Sequence, residues 1–102
     1  MTLAEFKRSL AKRTPPAELA PALAALWWAA KDEWDAAHKL VMDDGSADCA
    51  RVHAYLYLHR AEDDLENARY WYRRAKVPPA TGPLKAEWTA IVRDLIGSET
   101  DR

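Results

Sequence analysis

The chain predicts an all-α fold: five or six short antiparallel helices packed as helical hairpins. Three observations carry that expectation. Apolar residues recur at three- and four-residue spacing in segment after segment; no stretch alternates apolar and polar residues long enough to make a strand; and proline, glycine or paired acids punctuate the segments at helix-length intervals. The 102 residues, 49% hydrophobic and 30% charged, suit one small domain with a single core. Six Pro and three Gly, without Ser- or Gln-rich tracts, exclude a collagenous or low-complexity chain.

Each element has a local reason. Thr2 and Glu5 form a capping-box pattern around Leu3, Phe6 and Leu10, which gives a first helix over 3–13, ended by Thr14-Pro15-Pro16. A second helix occupies 17–30, with a favoured start at Pro21, because proline fits a first turn and not an interior. Beyond Lys31-Asp32-Glu33, residues Trp34, Ala37, Leu40 and Val41 keep helical phase. That is either a tight turn into a third helix or a bend in one long helix, and it stops at Asp43-Asp44-Gly45. Ser46 or Asp48 caps a fourth helix, on which Cys49, Val52, Tyr55, Leu56 and His59 share a face. Asp63 or Asp64 caps a fifth, whose buried stripe is Leu65, Ala68, Trp71, Tyr72 and Ala75, with Tyr70 pointing away. Val77-Pro78-Pro79 closes it. Gly82-Pro83 opens the last helix, carrying Leu84, Trp88, Ile91, Val92 and Leu95, with Gly97 placed as its stop.

The single Cys49 cannot form an internal disulfide, which points to a reducing, cytoplasmic setting. No signal-peptide run is expected at the N-terminus, where Leu3 and Phe6 are interspersed with Glu5, Lys7 and Arg8, and no stretch has the roughly 20 apolar residues of a membrane span. The net charge of −1 conceals segments: residues 1–13 carry +3, 14–31 are neutral, 32–66 carry −7, 67–93 carry +5 and 94–102 carry −2. With a pI near 6.3, bulk nucleic-acid binding is not expected. The Arg69, Arg73, Arg74, Lys76 cluster falls mostly in the last turns of the fifth helix, where cations offset the helix dipole.

Residues 32–41 align on 63–72 at an offset of 31, matching polar turn, large apolar, acid, small and aromatic or aliphatic positions. Ala37 and Ala68 then stand where two helices approach most closely, flanked by large residues that fill the adjoining holes. With Leu65, Ala68, Tyr72, Ala75 and the prolines at 78 and 79, this pattern resembles the tetratricopeptide-type helical hairpin repeat. The resemblance implies stacked hairpins that bind peptides or proteins. The period is shorter than that family's, and Asp32 and Asp63 replace its usual turn glycine. The run from His59 to Ala75 also resembles short, functionally uncharacterised bacterial and fungal proteins sharing H-R-x-E-x-D-x-x-N-A-x-Y-W-Y-R-R-A, a resemblance that implies no activity.

The residues from which a ligand, metal or acid–base site can be assembled are His38, His53 and His59, with Glu62, Asp63 and Asp64; His53, His59, Glu62 and His38 are the candidates. His53 and His59, six apart on one helix, project about 120° from each other, and the His-x3-His spacing of helical zinc sites is absent. His59 shares the stripe of Val52 and Leu56, and Glu62 lies one turn on, able to accept its ring N–H; a hydrogen-bonded core histidine is the plainer reading. The loop Asp43-Asp44-Gly45-Ser46 lacks the ligand alternation of a calcium loop. No phosphate-binding loop, nucleophile elbow or cofactor motif is present, so no catalytic residue and no cofactor is assigned.

Five Trp and four Tyr are many for a chain of this length. Trp27 and Trp28, 100° apart on a helix, cannot both face the core, and Tyr70 points outward. The candidate interaction surface is therefore Trp27, Trp28, Tyr70, Arg69 and Arg73. The sequence as a whole leads to a protein- or peptide-interaction module. Two repeat copies fall short of a stable stack, so either the terminal helices cap them or the chain pairs with a second copy as a homodimer. The alternative is a small-molecule- or metal-binding enzyme built around His59.

Overall fold

A computed structural model describes residues 1–59 and 64–100, the side chains of 98–100 excepted. Six helices and no strand occur among them: α1 Leu3–Ser9, α2 Pro21–Ala30, α3 Trp34–Val41, α4 Ala47–Leu58, α5 Leu65–Ala75 and α6 Leu84–Thr100. The fold is an all-α bundle. α2 packs on α3 and α4 on α5, each pair being consecutive in the chain. The two pairs meet where α4 touches α2 and α3, and α6 lies across α2 and α4, with α1 against it.

The caps explain the boundaries. Thr2 Oγ1 accepts from the Glu5 N–H at 3.1 Å, while the Thr2 N–H donates to Glu5 Oε1 at 2.8 Å. These bonds hold the Glu5 carboxyl below its ordinary range. Pro21 is the first residue of α2, and Ser46 caps α4 by accepting from the Cys49 N–H. The question of turn or bend after α2 is settled as a turn. Asp32 adopts a left-handed conformation (φ 65), its N–H donates to Ala29 O, and the Glu33 N–H reaches back to Trp28 O. α5 ends in the same way, with Lys76 left-handed (φ 60) and the Val77 N–H donating to Tyr72 O. Both are Schellman closures without glycine. α3 and α5 start at Trp34 and Leu65, and their preceding residues Glu33 and Asp64 share an extended-bridge conformation (φ −104, ψ 75 and φ −90, ψ 67). Neither acid caps its helix with its side chain, and Asp63 lies outside the described residues.

The main core gathers Phe6, Leu23, Leu26, Trp27, Val41, Val52, Tyr55, Ile91 and Val92 from five helices. A smaller cluster of Ala54, Ala68 and Tyr72 seals α4 to α5, and there the alanines, like Ala37 in α3, are fully buried. A methyl side chain at each crossing lets the backbones approach. Three indoles lock elements together through their N–H groups: Trp27 to Ser9 Oγ (3.0 Å), Trp34 to Leu56 O (2.9 Å) and Trp88 to Leu26 O (2.9 Å).

Four expectations are corrected. α1 ends at Ser9 rather than residue 13: the Ser9 hydroxyl turns back onto Phe6 O, and the next three N–H groups make tight three-residue bonds, with the Lys31 ammonium donating to Leu10 O and Lys12 O. α6 continues through Gly97, which needs no left-handed conformation. Leu65 and Leu84, assigned to buried stripes, are exposed; each is the first residue of its helix, where the side chain leans back past the helix end. Trp27, offered as an interaction residue, is wholly enclosed, and of the tryptophan pair only Trp28 retains partial exposure.

Candidate functional site

Rings from three successive helices meet on one side of the bundle. Trp34 and His38, one turn apart on α3, stack with centroids 4.7 Å apart. His53 and Tyr57, one turn apart on α4, lie nearly parallel, and the Trp71 indole of α5 stacks on His53 at 3.9 Å. Beyond Trp71, the Arg74 guanidinium lies near both Trp71 and Tyr70, 5.7 and 5.8 Å from their ring centroids. The result is an aromatic ladder crossing α3, α4 and α5. The i, i+4 spacing on α3 and on α4 puts two rungs on each helix, and the α4–α5 packing brings Trp71 onto His53.

The His38, His53, Tyr57 and Trp71 rings of the ladder floor an open groove of about 510 Å³. Its walls add the Met42 thioether, the outward Tyr70 ring, the carboxylates of Asp64 and Glu66 and the Asn67 amide, whose nitrogen donates to Asp64 Oδ2 at 2.8 Å. No lysine or arginine lines it among the described residues. At its floor the Nε2 atoms of His38 and His53 are 2.9 Å apart, and Tyr57 Oη is 3.3 Å from His38 Nε2. Such a pair needs one ring with a proton on Nε2 and one with a lone pair there. His53 is 3% exposed, and its Nδ1 is enclosed with no hydrogen-bond partner. Burial first, and His38 second, depress its pKa from 6.5 to about 4, so the ring is neutral at physiological pH.

His59 stands apart from this pair. It is the C-cap residue of α4, and its Nε2 is 2.6 Å from Glu87 Oε1 of α6. The other oxygen of Glu87 accepts from the Tyr72 hydroxyl, and burial first, then this bond, push the phenol pKa well up. Glu87 is itself buried, so one carboxylate ties the end of α4 and the middle of α5 to α6. The partner that sequence spacing offered for His59, Glu62, lies outside the described residues. His59 is hydrogen-bonded, as the plainer reading expected, but it is partly exposed rather than a core residue, and a carboxylate 28 positions away supplies the bond.

The structure thus brings His38 and His53 together and leaves His59 in another environment. No group of three or more His, Cys, Asp or Glu side chains able to hold a metal occurs among the described residues. Of the interaction residues, Tyr70 borders the groove, while Arg69 and Arg73 are exposed on α5. Sequence reading named His53 as a candidate ligand but left it out of the fourth helix's core stripe, because α4 is covered on several sides and buries residues outside a single stripe. Tyr57 and Asn67 went unnoticed as site residues; the His53–Tyr57 spacing of four was the available signal for the tyrosine. No described helix is long and apolar enough to cross a membrane. No protein-family model matches the chain, and neither a curated protein nor a solved structure is significantly similar to it.

Proposed function

We propose that the protein is a recognition module that docks a basic peptide segment of a partner protein in the groove across α3, α4 and α5. One observation carries this reading: aromatic rings, a thioether and two carboxylates line the groove, and among the described residues no lysine or arginine does. Aliphatic stems of Lys or Arg pack on such rings while their charged ends meet the acids. Two of its three walls, α3 and α4, belong to the segment 32–66, which carries −7, and the carboxylates of Asp64 and Glu66 stand at the groove itself, so a basic ligand is also steered toward it. The tetratricopeptide-like hairpin reading belongs to the same proposal, since paired helices of that kind present grooves to peptides.

Selection from a displayed random-peptide library tests this reading, with a Glu66→Lys, Asp64→Lys double variant as counter-screen. The expected winners are rich in Lys or Arg and lose at least ten-fold in affinity for the variant at low salt. Acidic winners, or basic winners that the variant retains, contradict it. A dimer in sedimentation that the same variant abolishes would replace the foreign peptide with a second copy of the chain.

A further inference from the structure

Where α1, the end of α2 and the start of α6 meet, a cavity of about 530 Å³ opens that shares no lining residue with the groove. Its volume is that of a small-molecule site, for which about 300–1,000 Å³ is usual. Burial grades its lining into floor and rim: Tyr55 and Trp88 are 3% and 8% exposed, whereas Lys7, Asp32, Leu84 and Lys85 are open to solvent. Two ammonium groups thus stand at the rim with one carboxylate. On the floor, the Trp88 N–H is committed to Leu26 O, but the Tyr55 hydroxyl has no hydrogen-bond partner among the described residues. Nor is that hydroxyl enclosed. The enclosed polar side-chain atom that lacks a partner is His53 Nδ1, so the phenol oxygen opens onto the space its ring borders. Burial first, and the Glu87 carboxylate second, keep the phenol protonated and therefore a donor. A donor so placed favours a ligand that brings an acceptor to it.

From this arrangement we propose that the cavity binds a small amphipathic carboxylate whose apolar body carries a second, neutral oxygen. The carboxylate meets Lys7 and Lys85 at the rim, the body lies on Leu10, Leu84 and Trp88, and the Tyr55 hydroxyl donates to the neutral oxygen at the floor. Leu84, 45% exposed at the start of α6, gains apolar cover from such a ligand. The rim lysines repel the basic peptide assigned to the groove, so the two surfaces take ligands of opposite charge.

The test titrates the full-length protein with 8-hydroxyoctanoate, followed by ¹H–¹⁵N shifts, with octanoate and octane-1,8-diol as controls that each lack one of the two polar features. Saturable sub-millimolar binding is expected, with shifts at Lys7, Leu84, Lys85 and Thr89, and each control should bind about five-fold more weakly at low salt. Tyr55→Phe removes a hydroxyl that bonds to nothing in the described chain, so it should keep the fold and erase only the advantage over octanoate. The Lys7→Met, Lys85→Met double variant should erase only the advantage over the diol. Absence of saturable binding at millimolar hydroxy acid, shifts centred on His38, Asn67 and Tyr70, or either variant keeping the preference it should lose overturns the assignment. The probe is an anion and no peptide is present, so failure here leaves the docking proposal standing.

Discussion

Glu87→Ala probes the junction that fixes α6 to the second hairpin. The carboxylate is 8% exposed and serves two partners, His59 Nε2 at 2.6 Å and the Tyr72 hydroxyl. Removing it strands both, and a buried bond to a charged group contributes about 1.5–3 kcal/mol, so the expected loss is about 3–5 kcal/mol. A domain of this length has about 5–15 kcal/mol of stability, so the variant should lose a large fraction of its urea midpoint. Tyr72→Phe removes one of the two bonds and is expected to cost roughly half as much. The double variant should show a coupling of about 0.5–3 kcal/mol, since both changes act on the same contact. A Glu87→Ala protein within about 1 kcal/mol of the parent would refute the reasoning, because the stranded groups would then have found water or other partners.

Three further outcomes follow from individual residues. Stability should decline as pH falls from about 6.5 to about 4, because the unfolded chain takes up a proton on the His53 imidazole and the folded one does not. The loss is at most about 3 kcal/mol and should be reduced in His53→Phe, as read by urea melts across that range. Ala68→Leu should destabilise by about 1–3 kcal/mol or more by forcing α5 from Ala54, whereas Ala4→Leu at an exposed site should change the thermal midpoint little. Gly97→Ala should raise stability by about 0.5–1 kcal/mol, since the position is helical with nothing within 4 Å of an added Cβ.

Helix identity was legible because it rests on local chemistry. The Thr2–Glu5 box, Pro21 in a first turn and Ser46 as a cap are each readable within four residues, and the structure has all three. The crossing alanines Ala37 and Ala68 were legible from their large neighbours. Most of what failed depended on distant partners. At the end of α1, Ser9 accepts from the Trp27 indole and the Lys31 ammonium bonds Leu10 O and Lys12 O, partners about 20 positions away, whereas the continuation of α6 past Gly97 is a local misreading, since the glycine stays helical. At the site, sequence spacing named His38 and His53 as candidates without pairing them, because 15 residues separate them and only the packing of α3 on α4 brings them together. Glu87 was not legible as the partner of His59 for the same reason.

The most direct test of the groove as the working surface is ¹H–¹⁵N shift mapping with the strongest basic peptide from the library selection. The largest changes are expected at His38, Tyr57, Asn67 and Tyr70, around the aromatic ladder. A second concavity, formed by α1, the end of α2 and the start of α6, and lined by Lys7, Leu84, Lys85 and Trp88, is the built-in control. Shifts centred there, or no saturable shifts at all, would contradict the account.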